Sequence, residues 1–358
     1  MGSLHDITQK ILALPREAGT PEAAAARELV ADHLELLGYE VVVQKFSFSP
    51  ASLKAFPLFG DGLGLLALIL FPLLGTSAVP AWAALAVWAG GLAVLSIAAA
   101  GIGLGWVPLG EAAREDANLI ATRPGDRPRR WVVAHLDTKA QAHSMAGRLV
   151  AVWVTGGAIV VLTAMVAVRL GGRLSPGWLA IGCGAALLAG FLARRGRLKG
   201  RTVGARDNGT GLVAVLAAAE SAPSSGLGIL ITGAEEFGLV GARVFARVTP
   251  DIRASEFVNV DTVDDEGTLY LVSHDAKGEH LARAVEPLLA ATTGPVRRRR
   301  LPLGIFVDSA PLAQAHASAI TIGRLTWQTL RRIHTTADTV DGLSLTTAEA
   351  VGKAIALN

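Results

Sequence analysis

Two long apolar zones interrupt an otherwise polar chain, and they limit its fold more than any other feature. The first runs from Phe56 to Trp106 with Asp61 as its one charge, and the second from Leu149 to Arg197. A membrane-spanning helix needs about 20 apolar residues, with about 17 as a practical minimum. Each zone is long enough for two spans, with breaks at Gly75–Pro80 and Gly171–Pro176. Four such segments exceed what one domain core covers, so the expectation is four transmembrane helices in two hairpins. Composition agrees: 51% of the 358 residues are hydrophobic and 18% are charged, against about 25% charged in soluble domains.

The opening "MGSLHDITQKILALPREAGT" is polar and holds no long apolar core, so no secretory leader is expected. Cys183 is the only cysteine and lies in the fourth apolar segment, which excludes an intrachain disulfide framework. A net charge of +3 is too weak to argue for nucleic acid, leaving the lipid bilayer as the expected macromolecular surroundings. Lys and Arg in short loops set orientation, with the excess on the cytoplasmic side. Arg148, Lys54, Arg194, Arg195, Arg197, Lys199 and Arg201 flank the spans on the side holding the polar remainder, whereas the opposite loops carry Arg169 and Arg173. The reading is a multi-pass protein of a bacterial-type inner membrane, with its polar part facing the cytoplasm.

That remainder falls at 1–55, 107–147 and 198–358, with helix pairs at 56–106 and 148–197. It is enough for one α/β domain. Leu4, Ile7, Ile11 and Leu14 have helical spacing, and Thr20-Pro21-Glu22 opens a helix ending at Gly38. "YEVVVQKFSF" reads as a strand. "ANLIATRPG" and "RRWVVAHLDT" read as paired strands, and helices and strands then alternate to a closing helix in "TTAEAVGKAIAL". Alternation of this kind predicts a three-layer α/β/α domain around a mixed, largely parallel sheet. Ligands of such sheets bind beyond the carboxyl ends of the strands.

Side chains that bind hard or borderline metals cluster at those strand ends. "WVVAHLDT" ends on His135 and Asp137, "VGARDNGTG" presents Asp207, and "ITGAEEFG" presents Glu235 and Glu236. "FVNVDTVDD" presents Asp261 and "RRIHTTADT" presents His334. Imidazole and carboxylate are the protein ligands zinc takes when no thiolate is offered. A lone histidine or glutamate pair is ordinarily a packed or solvated side chain; five such points in one chain are not.

In this order the motifs resemble the co-catalytic dizinc aminopeptidase family, which includes bacterial leucyl aminopeptidases and glutamate carboxypeptidase II. "GARDNGTG" favours that group over the dizinc carboxypeptidases and deacylases, which share His-x-Asp and Glu-Glu. The resemblance implies two Zn²⁺, with Co²⁺ or Mn²⁺ as alternatives, and Asp207 as the bridge between them. It implies His135 and Asp261 on one ion and Glu236 and His334 on the other. Asp137 would steady His135 from behind, and Asn208 and Gly209 would allow the sharp turn that aims Asp207. Glu235 would be the general base for a water activated between the ions, cleaving the N-terminal bond of a peptide substrate.

One departure stands out: "FVDSAPLAQAHASAI" has Asp308-Ser309 where many relatives carry Asp-His. Just upstream, Arg297 to Arg300 form a basic run read as a solvated loop. Two other functions fit the same fold, a single-zinc acyltransferase of the glutaminyl cyclase kind and a non-catalytic binding relative. Retention of every expected ligand, His135 and Asp261 included, speaks against both.

Overall fold

The structure is a computed structural model and describes residues 4–222 and 226–356. In chain order, helices α1 (Leu4–Leu12) and α2 (Pro21–Leu36) precede strand β1 (Glu40–Phe48). Helices α3 (Ala55–Gly75) and α4 (Ala81–Gly103) follow, then β2 (Arg114–Thr122) and β3 (Arg130–His135). Helices α5 (Met145–Gly171) and α6 (Pro176–Arg194) lead to α7 (Thr210–Ser221), β4 (Leu227–Thr232), α8 (Val240–Val248), β5 (Glu256–Val263) and β6 (Thr268–Ser273). The chain continues through α9 (Ala276–Thr293), β7 (Val296–Arg300), α10 (Ser309–Gln314), β8 (Ser318–Leu325), α11 (Trp327–Arg332) and α12 (Thr346–Ala356). These elements form two compact units, Met1–Phe48 with Ala113–Ala140 and Gly200–Asn358, and Ser49–Ala112 with Gln141–Lys199.

The first unit is built on an eight-stranded mixed sheet in the order β1-β2-β4-β3-β5-β8-β6-β7. Strands β4, β3, β5 and β8 are mutually parallel and form its centre. Successive side chains of a strand point to opposite faces, and β3 shows why three layers result. Val132 and Ala134 join a core with Ile11, Val30 and Leu34 of α1 and α2, Leu216 of α7, Leu281 of α9 and Val351 of α12. Trp131 and Val133 face the other way, onto Phe245 of α8 and Leu312 of α10. A strand buried on both faces needs an unbroken apolar run, and β3 and β4 supply it with "WVVA" and "LGILI".

Two sequence expectations need correction. The segments "ANLIATRPG" and "RRWVVAHLDT" are both strands but do not pair, because β4 lies between β2 and β3. Nothing local to either segment encodes that insertion; it places the fully buried β4 between two neighbours. The basic run Arg297 to Arg300 is no loop either: it is edge strand β7, paired parallel to β6 from Leu269↔Val296 to Ser273↔Arg300. Charged side chains suit an edge because one side of the strand stays in water. Arg298 donates to Glu279 of α9 at 2.8 Å, and the Arg299 guanidinium lies 5.1 Å from the Tyr270 ring centre.

The second unit is a four-helix bundle in which α3 packs on α4 and α6, and α5 on α6. Leu63, Leu70, Trp88, Leu162, Met165 and Leu179 share its core. All four helices are long and apolar enough to cross a membrane, with mean hydropathy from 1.7 to 2.3. Gly190 of α6 lies against the backbone of Gly60 of α3, leaving no room for a Cβ, the close approach that small residues permit between membrane helices. Arg169 donates to the carbonyls of Thr76 and Val79 at 2.7 and 3.0 Å, tying the last turn of α5 to the turn between α3 and α4.

Candidate metal centre

Every candidate residue lies at the carboxyl end of the parallel strands or in a loop folded over it. His135 is the last residue of β3, and Asp261 sits near the end of β5. Glu235 and Glu236 follow β4 by one short turn. Asp207 occupies an irregular turn, Ala205–Gly209, that opens α7, and its peptide bond to Asn208 is cis. Asn208 fixes that turn against β5: its amide donates to Val260 O at 2.9 Å, and its Oδ1 accepts from Gly211 N and Thr262 N at 3.0 and 3.2 Å.

Two donor groups share Asp207. His135, Asp207 and Asp261 form one; Asp207, Glu236 and His334 form the other, with ligand atoms in each within 4.8 Å of one another. The two oxygens of Asp207 face opposite ways: Oδ1 is 3.3 Å from His135 Nε2, and Oδ2 is 3.0 Å from His334 Nε2. Asp261 Oδ1 is 3.9 Å from His135, and Glu236 Oε1 is 3.4 Å from His334. Zinc bonds of about 2.0–2.1 Å in a tetrahedron put neighbouring donors about 3.3 Å apart, so these spacings suit one ion per group. Glu236 Oε1 is buried with no hydrogen-bond partner, a costly state for a carboxylate oxygen that a cation would relieve. The residues fit a metal, and their chemistry fits zinc.

Protonation is consistent with this. A carbonyl can only accept, so the 3.0 Å contact of His135 Nδ1 with Asp137 O keeps a proton on Nδ1 and leaves Nε2, which faces Asp207, as the nitrogen that would give up its proton to a metal. Burial opposes ionisation of Asp207, but hydrogen bonds from His135 and His334 outweigh it and hold the carboxyl below its usual range. Glu236 meets the same burial and is drawn down to about 2 by Lys139 and His334. Burial pushes Glu235 well above its usual value and Asp261 to about 6. A cation in the site would reverse both, because its charge dominates the local field.

The Asp137 carboxylate does something other than expected. Its Oδ1 is 3.8 Å from His135 Nδ1, too far to hydrogen-bond, and the backbone carbonyl takes that contact. The carboxylate accepts instead from the backbone N–H groups of Glu235 and Glu236 at 2.9 and 3.1 Å. Those buried peptide donors sit in a turn with no ladder partner, and they claim the nearest acceptor. Asp137 thus holds the imidazole through its main chain and the glutamate pair through its side chain.

Four further side chains support the site in roles that the motifs did not assign. Lys139, buried two residues past Asp137, pairs with Glu236 Oε2. Asp338, inside "HTTADT", accepts from Arg206 N and Asp207 N at 2.9 and 3.1 Å and so carries the bridging turn. Asp308 is buried beside this cluster, hydrogen-bonded by Thr232, and pushed by burial to about 7. Ser309, standing where many relatives have histidine, is held between His274 Nε2 at 2.7 Å and Thr321 Oγ1 at 2.6 Å. Lys139 has no spacing signature, whereas Asp338, Asp308 and Ser309 lay inside segments the sequence had singled out without revealing these contacts.

The profile of Peptidase family M28 matches residues 118–358, which includes every residue of both donor groups. The chain belongs to peptidase family M28. That family is metal-dependent, typically on zinc, and the two donor groups of this chain could hold metal. Against curated protein sequences nothing matches significantly. Among solved structures it resembles the aminopeptidase from Aneurinibacillus sp. strain AM-1, with TM-score 0.58 and 15% identity over 98% of this chain and 92% of that one. It is similar to Fimbriiglobus ruber glutaminyl cyclase to the same degree, with TM-score 0.57 and 15% identity over 99% and 93%. Tannerella forsythia glutaminyl cyclase gives 0.58 and 15% over 99% and 95%. Likeness at this identity concerns the fold alone, and both activities occur on it.

Proposed function

We propose that this M28 chain is a membrane-anchored aminopeptidase that uses two divalent ions, zinc by preference, to cleave N-terminal residues from peptides. The observation that carries the reading is Asp207, whose two oxygens face one histidine each in two separate donor groups. His135, Asp207 and Asp261 would hold one ion, and Asp207, Glu236 and His334 the other. Bound there, the ions would polarise the scissile carbonyl and acidify the attacking water. Glu235, buried next to Glu236 with its turn fixed by Asp137, would take the proton from that water and return it to the leaving amine. The four apolar helices would anchor the enzyme. Their flanking charges support a catalytic unit on the cytoplasmic face.

A glutaminyl cyclase-like acyl transfer is the second reading, supported by neighbours of equal structural similarity. It would use the Asp207, Glu236 and His334 group alone. Elemental analysis separates the two, since the first reading expects two zinc ions per chain and the second expects one. An N-terminal peptide library then distinguishes residue-by-residue shortening from loss of ammonia at N-terminal glutamine. Asp207→Asn should abolish activity and lower metal content at both positions. One tightly bound zinc per fully active chain would sink the dinuclear reading.

A further inference from the structure

Arg16 lies between α1 and α2, upstream of the region the M28 profile matches. Among the described residues it is the bulkiest fully buried side chain, at 0% exposure. Its side-chain hydrogen bonds among the described residues all go to backbone carbonyls. Nε donates to Leu136 O at 2.9 Å, Nη1 to Val203 O at 2.7 Å, and Nη2 to Gly204 O at 3.1 Å. Nη1 also reaches Ile11 O and Leu14 O, each at 3.3 Å. In return, Arg16 O accepts from Thr138 N at 3.1 Å.

Those acceptors are not scattered. Leu136 sits between His135 and Asp137. Val203 and Gly204 lead directly into the turn that presents Asp207, and Gly204 adopts a left-handed φ of 52° that sets the direction of entry. One planar guanidinium therefore touches both loops that meet at the first donor group. A buried cation normally costs heavily unless it is paired, and here the return is placement. Burial lowers Arg16 to about 10, against the pull of Asp338, Asp137 and Asp207, so it stays charged at neutral pH.

We propose that Arg16 is a positioning residue for the metal centre, spacing the His135 and Asp207 loops so that their donor atoms converge on an ion. The rigid fork of five donors is what the task requires; a lysine ammonium is a single point and does not span both loops. The inference rests on the reading that these residues hold metal, but not on which reaction follows.

The test is zinc affinity of the full-length protein, measured by chelator competition without substrate. Arg16→Lys should fold and bind zinc about 10–100-fold more weakly, the usual cost of removing support behind a ligand. Arg16→Ala should behave likewise and recover part of the affinity on addition of methylguanidinium at non-denaturing concentration; should it fail to fold, Arg16→Lys carries the test. Leu289→Ala, which opens a cavity under α9 away from the site, controls for lost stability. Arg16→Lys binding zinc as tightly as the parent would overturn the proposal, as would an equal loss of affinity in Leu289→Ala. A parent chain that binds no zinc would instead remove the metal reading itself.

Discussion

At the scale of single residues, the adjacent glutamates would divide their labour by direction. Glu236 turns one oxygen to Lys139 and leaves the other without a hydrogen bond, 3.4 Å from His334 Nε2. The Glu235 side chain makes no hydrogen bond or ion pair among the described residues, and its raised affinity for protons is what an acid–base group needs once a cation pulls it towards neutrality. The expected outcome for Glu235→Gln is a metal content near that of the parent and turnover lower by about two to four orders of magnitude. Glu236→Gln should instead lower metal content. Near-normal turnover in Glu235→Gln would show that the two roles are assigned wrongly.

At the scale of elements, contacts between small residues set how close helices come. Gly190 and Gly60 let α6 and α3 meet backbone to backbone, and a larger side chain at 190 has nowhere to go. Gly190→Leu should lower the melting temperature of the detergent-solubilised protein, the overpacking cost being about 1–3 kcal/mol. Gly157→Leu on α5, where a Cβ meets nothing, should leave it unchanged. Equal melting of the two variants would mean that the α3–α6 contact contributes little. In the first unit the corresponding device is polar: Asn208 and Asp338 pin the Asp207 turn to β5 and to the segment after His334.

At the scale of the whole molecule, pH and membrane orientation are the two readouts. In the metal-free protein burial raises Asp137, Asp261 and Asp338 to about 6 and Asp308 to about 7. His135 and His334 are also raised, because carboxylates outweigh their burial. A group with a raised folded pKa contributes stability that is complete below its unfolded pKa and lost as pH rises through the folded value. The lowered groups, Asp207 and Glu236, act only at acid pH. Stability of the metal-stripped protein should therefore fall as pH climbs from about 4 to above 7, and zinc should restore more at pH 8 than at pH 5 (roughly, the two sides of that window). Thermal melts with and without zinc check this; a metal-stripped protein steadier at the higher pH would contradict it. For orientation, cysteines placed singly at Ser77 and Ser175 should react with an impermeant maleimide on intact cells. One at Ser224, which lies outside the described residues, should not. Labelling at Ser224 alone would put the catalytic unit outside.

The candidate ligands, the three-layer class and the four apolar helices were legible from sequence because each rests on a local pattern. His135 and Glu235-Glu236 end or follow apolar strands, Asp207 and His334 lie in quotable motifs, β3 and β4 read as continuous buried runs, and long apolar segments declare their length. Position in the sheet was not legible: β4 enters between β2 and β3, and Arg297–Arg300 becomes an edge strand, because pairing depends on partners distant in the chain. Nor could motifs assign the Asp137 carboxylate to the glutamate turn or place Arg16 against Leu136 and Gly204. A hydrogen bond needs direction as well as proximity, and at sequence separations of 98 to 188 residues only the packed tertiary structure supplies both.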